Sequence, residues 1–179
     1  QRQMCIRDSN KSFLITGGAT IEKIDSARII TNNSSGEMSL LLAQVARFRG
    51  AKVTYIHGPL RLKSEITEGI ECYEVQNGSE LNNLVRDEIH NYDYFFMNAA
   101  VADIKLKKDF TQKISKNNLK DHLSKNLELV PDILKNVSSL KRKNQLFIGF
   151  CAFTGTLENL RETIKEKFEK KGCDLIFAN

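Results

Sequence analysis

Ser12-Phe13-Leu14-Ile15-Thr16-Gly17-Gly18 opens the readable part of the chain. A short run of large apolar and β-branched side chains, halted by a glycine pair, reads as a buried strand. The signature returns at 52–57, closed by Gly58-Pro59, and again at 70–75, 92–97, 146–150 and 174–178. Helical spacing fills the intervals. Met38, Leu41, Leu42, Val45 and Phe48 form one stripe, and Leu81, Leu84, Val85 and Ile89 a second. Ile133, Leu134, Val137 and Leu140 follow Pro131, which suits a first helical turn, and Leu157, Leu160, Ile164 and Phe168 make the last stripe. Ser34 and Glu37 are spaced as a capping box for the first helix, with Gly50 just past its end. Apolar strands alternating with amphipathic helices predict an α/β, Rossmann-like, doubly wound fold. Its sheet is mainly parallel, with helices on both faces. Two stretches show neither period: a polar one at 19–35 and a basic one at 102–125, both expected as loops.

A chain of 179 residues supports one such domain, assigned to 10–179, and is too short for two large ones. Residues 1–9 lack periodicity and an initiating Met, so they are expected to be a non-native or disordered leader. The last strand stops where catalytic loops of such sheets often begin, so the domain is expected to be truncated at its C-terminus. Cys5, Cys72, Cys151 and Cys173 are too scattered for a disulfide framework or a zinc site. The last three lie in or beside apolar runs and are expected as buried, reduced thiols. No apolar run approaches the roughly 18 residues of a membrane span. No signal peptide is visible, so a cytoplasmic location is expected.

The net charge of +5 favours an anionic partner. Seven lysines lie between Lys105 and Lys125, opposed there only by Asp109 and Asp121, so this stretch alone accounts for the surplus. It is either a flap that draws in phosphates or a solvated loop, and for most of these lysines the loop is the better reading. A basic nucleic-acid-binding module would interleave aromatics for stacking, and only Phe110 is present.

Ligands of doubly wound sheets bind at the carboxyl ends of the strands, near the switch in strand order. Three unusual segments fall on that edge: Gly17-Gly18 with 30–36, the segment 98–103, and 149–152. Ser34-Ser35-Gly36, opening a helix, is an anion site for phosphate or carboxylate or an ordinary cap; on the cap alone, the ordinary reading is the commoner. The dinucleotide fingerprint G-x-G-x-x-G is absent, and no Tyr has a Lys four residues on. An NAD(P)-dependent oxidoreductase is therefore disfavoured. His57, His90 and His122 share no ligand spacing, and no metal ligands can be assigned.

Several of these segments, in order, resemble the phosphopantothenate–cysteine ligases, which in bacteria often form the carboxy-terminal half of a bifunctional coenzyme A biosynthesis protein. They are Leu14-Ile15-Thr16-Gly17-Gly18-Ala19-Thr20 with Ile24-Asp25-Ser26-Ala27-Arg28; Thr31-Asn32-Asn33-Ser34-Ser35-Gly36-Glu37-Met38; Ala99-Ala100-Val101-Ala102-Asp103; Leu129-Val130-Pro131-Asp132-Ile133-Leu134; Gly149-Phe150; and the tail from Lys171 to Asn179. The match covers nearly everything after Asn10. The chain departs from the family pattern at Ala19 (usually Pro), Asn33 (usually His) and Glu37 (usually Lys). Cys151-Ala152-Phe153-Thr154 stands where Ala-Ala-Glu-Thr is common.

The resemblance implies a CTP-dependent ligase, with Mg²⁺, that joins 4'-phosphopantothenate to cysteine through an acyl-cytidylate; some eukaryotic members use ATP. It implies catalytic roles for Asn32, which handles the acyl intermediate, for Arg28, which shapes the same loop, and for Lys113. It places Ala99, Ala100, Asp103, Lys113, Pro131, Asp132, Ile133, Leu134, Phe150, Lys167 and Lys171 at the nucleotide, and leaves Ser34, Ser35 and Gly36 for a substrate phosphate or carboxylate. A homodimer and a fused or associated decarboxylase domain are expected from the family. No nucleic-acid or membrane partner is expected.

Overall fold

The computed structural model describes residues 10–60, 67–108, 110–153 and 155–178, so the leader expected at 1–9 lies outside the described residues. Six strands form one all-parallel sheet: β1 (Ser12–Gly17), β4 (Lys52–His57), β5 (Glu71–Glu74), β6 (Tyr94–Met97), β9 (Leu146–Cys151) and β10 (Leu175–Ala178). Their order is β10-β9-β6-β1-β4-β5. The chain winds one way from β1 through β4 to β5, then returns across β1 to continue the other way from β6. That reversal opens a crevice beyond the carboxyl ends of β1 and β6.

Helices cover both faces, as the alternating pattern predicts. On one face α2 (Gly78–Glu88) and α4 (Ile133–Ser138) pack Leu81, Val85, Ile133 and Val137 against Leu14, Ile56, Phe95 and Phe147. On the other, α1 (Glu37–Phe48) lies over Ile15, Val53 and Tyr55. Phe95 and Phe147 meet edge to face at 5.2 Å beneath the crevice. A fifth helix, α5 (Leu157–Lys171), ends in Gly172 at φ 61° and connects β9 to β10.

The structure departs from the expectations at five places. Of the stripe Met38, Leu41, Leu42, Val45 and Phe48, Leu42 is half-buried against the core but the other four face outward, at 47–65% exposure, while Ser39, Leu40, Ala43 and Ala46 are buried. Small residues win because α1 comes very close to the sheet. Ser39 Oγ is 2.9 Å from the Tyr55 hydroxyl, and a Cβ on Gly17 would stand 1.9 Å from Ser39 Oγ. Nor does the capping box form. The helix starts at Glu37 behind Gly36, whose φ of 78° sets the turn, so Ser34 sits too early to cap it. The supposed loop 19–35 contains an antiparallel hairpin, β2 (Ile21–Asp25) and β3 (Arg28–Thr31). The basic stretch carries β7 (Ile104–Leu106), paired with β8 (Leu127–Leu129), and between them α3 (Lys116–Asn126), with no buried residue. Cys151 and Cys173 are buried thiols as expected, but Cys72 is exposed because β5 is an edge strand.

Candidate active site

The crevice is a cleft of about 910 Å³ at the switch point. Its floor is built by side-chain hydroxyls that splice two loops together. Thr16, fully buried at the end of β1, accepts hydrogen bonds from the N–H groups of Asn98 and Ala99 at 3.2 Å each. Beyond the strands, Ala100 N–H donates to Gly18 O (2.8 Å) and Thr20 N–H donates to Ala100 O (3.2 Å). Ala102 N–H donates to the buried Thr20 hydroxyl (3.0 Å). The parallel pairing of β1 and β6 is thereby prolonged into the loops, the two bonds of Ala100 forming a parallel bridge between Ala19 and Ala100. Four N–H groups of the 98–102 loop are engaged inside the protein. What Ala99 and Ala100 offer a ligand is thus a flat, close surface.

One wall is the segment after β3. Asn32 donates a side-chain amide proton to Val101 O at 2.8 Å, fixing its orientation across the cleft between the two loops. Ser34, Ser35 and Gly36 continue that wall into the start of α1, where Ser35 Oγ accepts from Glu37 N–H at 3.3 Å. The opposite wall is the β8–α4 connection, Pro131, Asp132, Ile133 and Leu134. Asp132 caps α4 through Lys135 N–H (3.2 Å) and pairs with Lys171 from the end of α5 (3.2 Å). Phe150, stacked on Phe177 at 5.4 Å, and Asp103 complete the lining.

The cleft thus gathers most of the residues expected from sequence: Asn32, Ser34, Ser35, Gly36, Ala99, Ala100, Asp103, Pro131 to Leu134, Phe150 and Lys171. Arg28 and Lys113 are not in the lining. Arg28 stands at the far end of β3, and Lys113 is exposed in the segment before α3. Lys167 falls within α5, and its side chain lies outside the described residues. Sequence reasoning placed the segment 98–103 on this edge but gave no separate role to Asn98 or to the carbonyl of Val101, and none to Met97, which lines the cleft from the end of the 92–97 apolar run; that position was the available signal. Asp25 was quoted without a role. Its buried carboxylate accepts from Ala27 N–H (2.8 Å), Arg28 Nη1 (2.7 Å) and Ile114 N–H (3.1 Å). Desolvation pushes this carboxyl up, but the Ala27 and Ile114 N–H donors and the Arg28 guanidinium outweigh it and hold it below the usual carboxylate range.

Among the described residues, the charged groups lining the cleft are Glu37, Asp103, Asp132 and Lys171, an acidic balance. No cluster of three metal-ligating side chains occurs there. A polyphosphate entering this cleft therefore needs positive charge from outside the lining. No helix among the described residues is long and apolar enough to cross a membrane.

Comparison with known proteins fits this geometry. The coenzyme A biosynthesis bifunctional protein CoaBC of Borreliella burgdorferi is 38% identical over 170 residues, 95% of this chain and 42% of that protein. The protein of the same name from Vibrio cholerae is 36% identical over 169 residues, 94% of this chain and 41% of its own length. The chain thus spans less than half the length of these curated relatives. The crystal structure of the C-terminal domain of a coenzyme A biosynthesis bifunctional protein CoaBC superposes with a TM-score of 0.78 at 34% identity, covering 96% of this chain and 78% of that one. Residues 9–179 match the model of the DNA/pantothenate metabolism flavoprotein C-terminal domain, and it is to this family that the chain belongs.

Proposed function

We propose that the domain is a CTP-dependent ligase that joins 4'-phosphopantothenate to cysteine in coenzyme A biosynthesis, working in the cytoplasm. The observation that carries this reading is the convergence of the resemblance-bearing segments, far apart in sequence, on one cleft at the switch point.

A carboxylate does not acylate an amine directly, because its oxygen is a poor leaving group. In the proposed reaction the substrate carboxylate attacks the α-phosphate, forming an acyl-cytidylate and releasing pyrophosphate. The cysteine amine then attacks the acyl carbon, forms the amide, releases CMP and loses a proton. The protein's task is alignment and charge stabilisation. Asn32, held by Val101 O, keeps a second amide proton for an acyl or phosphate oxygen. Ala99 and Ala100 let the nucleotide lie flat against the loop, and Phe150 and the Pro131–Leu134 wall enclose it. Lys171 supplies positive charge from within the cleft and Lys113 from the basic segment beside it. Asp103 is assigned to the nucleotide; Mg²⁺, which characteristically takes one or two carboxylates together with phosphate oxygens, would be held by Asp103 and the bound phosphates and would offset triphosphate charge that an acidic lining cannot. A homodimer and a decarboxylase partner are part of the same proposal, the second supported by the bifunctional names of the relatives.

The test is pyrophosphate release from 4'-phosphopantothenate, Mg²⁺ and either CTP or ATP, without cysteine. Release with CTP, reduced at least about 100-fold in Asn32→Ala and Asp103→Ala, is the expected result. Release with ATP alone would move the protein to the ATP-using members. No release with either nucleotide from folded protein would overturn the assignment.

A further inference from the structure

We infer that Asp25 is a positioning residue of this site, acting through Lys113; the inference rests on the ligase reading above. The segment between β7 and α3 holds Lys113 in exposed, irregular backbone. Within the described residues 110–115, the hydrogen bonds that reach back to the rest of the domain all come from Ile114. Its N–H donates to Asp25 Oδ2 (3.1 Å), and its carbonyl accepts from Arg28 Nη1 (3.2 Å). Both backbone groups of one residue are thus gripped by one ion pair. The pair is itself rigid. The Asp25 side chain is fully buried, Arg28 reaches it at 2.7 Å, and Ala27 N–H holds its other oxygen at 2.8 Å.

The grip links two parts of the proposed machinery. Arg28 begins β3, and Asn32 directly follows its end. Asp25 and Arg28 therefore tie the Lys113 backbone to the same short strand that delivers Asn32 to the cleft. A carboxylate buried only to close a hairpin turn would need the Ala27 and Arg28 bonds alone. The third donor, 89 residues away in sequence, is what marks a second task.

The test compares Asp25→Asn and Ile114→Pro, each alone and on a Lys113→Ala background. Ile114→Pro deletes the donated N–H while leaving Asp25, Ala27 and Arg28 in place, so it answers the question should Asp25→Asn fail to fold. Both single variants are expected to lower kcat for pyrophosphate release on the order of 100-fold, since misplacement by about 1 Å costs that much. On the Lys113→Ala background the further loss should be under about 3-fold, because the group being positioned is gone. An equal loss on both backgrounds, or none on either, would overturn the inference. Limited trypsinolysis provides a readout independent of activity: cleavage after Lys113 should accelerate in Asp25→Asn, and cleavage after Lys116 in Ile114→Pro, whose Lys–Pro bond trypsin does not cut; unchanged rates would overturn the clasp itself. Faster cleavage in a protein that never releases pyrophosphate would instead defeat the ligase reading and leave the clasp standing.

Discussion

The cleft has a floor and a fringe, and they are built by different means. The floor, where the loops after β1 and β6 meet, stands on fully buried side chains such as Leu14, Phe95 and Phe147, and its backbone polar groups are satisfied by buried threonines. The fringe comprises the β2–β3 hairpin, the β7–β8 pair and α3, and α3 buries no residue. It is tied down at points: the Asp25 clasp, Lys107 N–H to Asn126 O at 2.9 Å, and the edge contact of Phe110 with His122 at 4.2 Å. Hydrophobic packing fixes the floor in all directions at once, whereas the fringe has few buried apolar side chains, Ile24 and Leu106 among them, and relies more on directional bonds. A substrate thus meets a surface set by the core and an edge set by local chemistry.

Breaking the floor should cost most. Phe95→Ala removes a side chain with no exposed surface and leaves a cavity against Phe147. A loss of about 3–5 kcal/mol in urea-unfolding stability is expected, with the cleft lost as well. Gly17→Ala probes the same region by overfilling it, because the new methyl would meet Ser39 Oγ at 1.9 Å and the Tyr55 hydroxyl at 2.4 Å. Chemical denaturation should show about 2 kcal/mol of destabilisation as α1 is pushed off the sheet. The fringe sets the lower end of the scale. Lys105 and Glu128 pair across β7 and β8 at 3.6 Å, both partly exposed. Lys105→Ala should change global stability by less than about 1 kcal/mol. A larger drop would mean that the fringe and the floor unfold as one unit, and the contrast between them would fail.

The same contrast explains what the sequence disclosed. Leu14, Tyr55, Phe95 and Phe147 sit in continuous apolar runs because a parallel sheet is buried on both faces, and such runs announce themselves. The order of the strands is known only from the fold, whereas the placement of the crevice at the carboxyl ends of such strands follows from these runs. The phase of α1 did not, since side-chain size argued for Met38 and Phe48 while the closeness of the sheet selected Ala43 and Ala46. The hairpin and α3 were illegible for a related reason. α3 is mostly polar and buries nothing, so it carries no period, while two of the three residues that β2 buries, Glu22 and Asp25, are charged, so no apolar alternation marks the hairpin. The cleft residues were named through resemblance, and the switch-point argument independently pointed to three of the loops that carry them. Arg28 and Lys113 were named in the same way but stand outside the lining; the Asp25 carboxylate, which binds Arg28 and the N–H of Ile114 next to Lys113, can be seen only when the chain is folded.

The strand order also sets a timetable. β1 is one of the two innermost strands, and it is joined on one side by a strand that emerges much later in the chain: its partner Met97 lies 81 residues after Thr16. At ribosomal rates of about 5–20 residues per second, β1 waits roughly 4–16 s for the strand that completes its inner flank. Until then the apolar run from Phe13 to Ile15 has β4 beside it and α1 over Ile15, but nothing on its β6 edge. The floor of the cleft consequently cannot close before β6 emerges, and that edge of β1 is open to a nascent-chain chaperone in the interval.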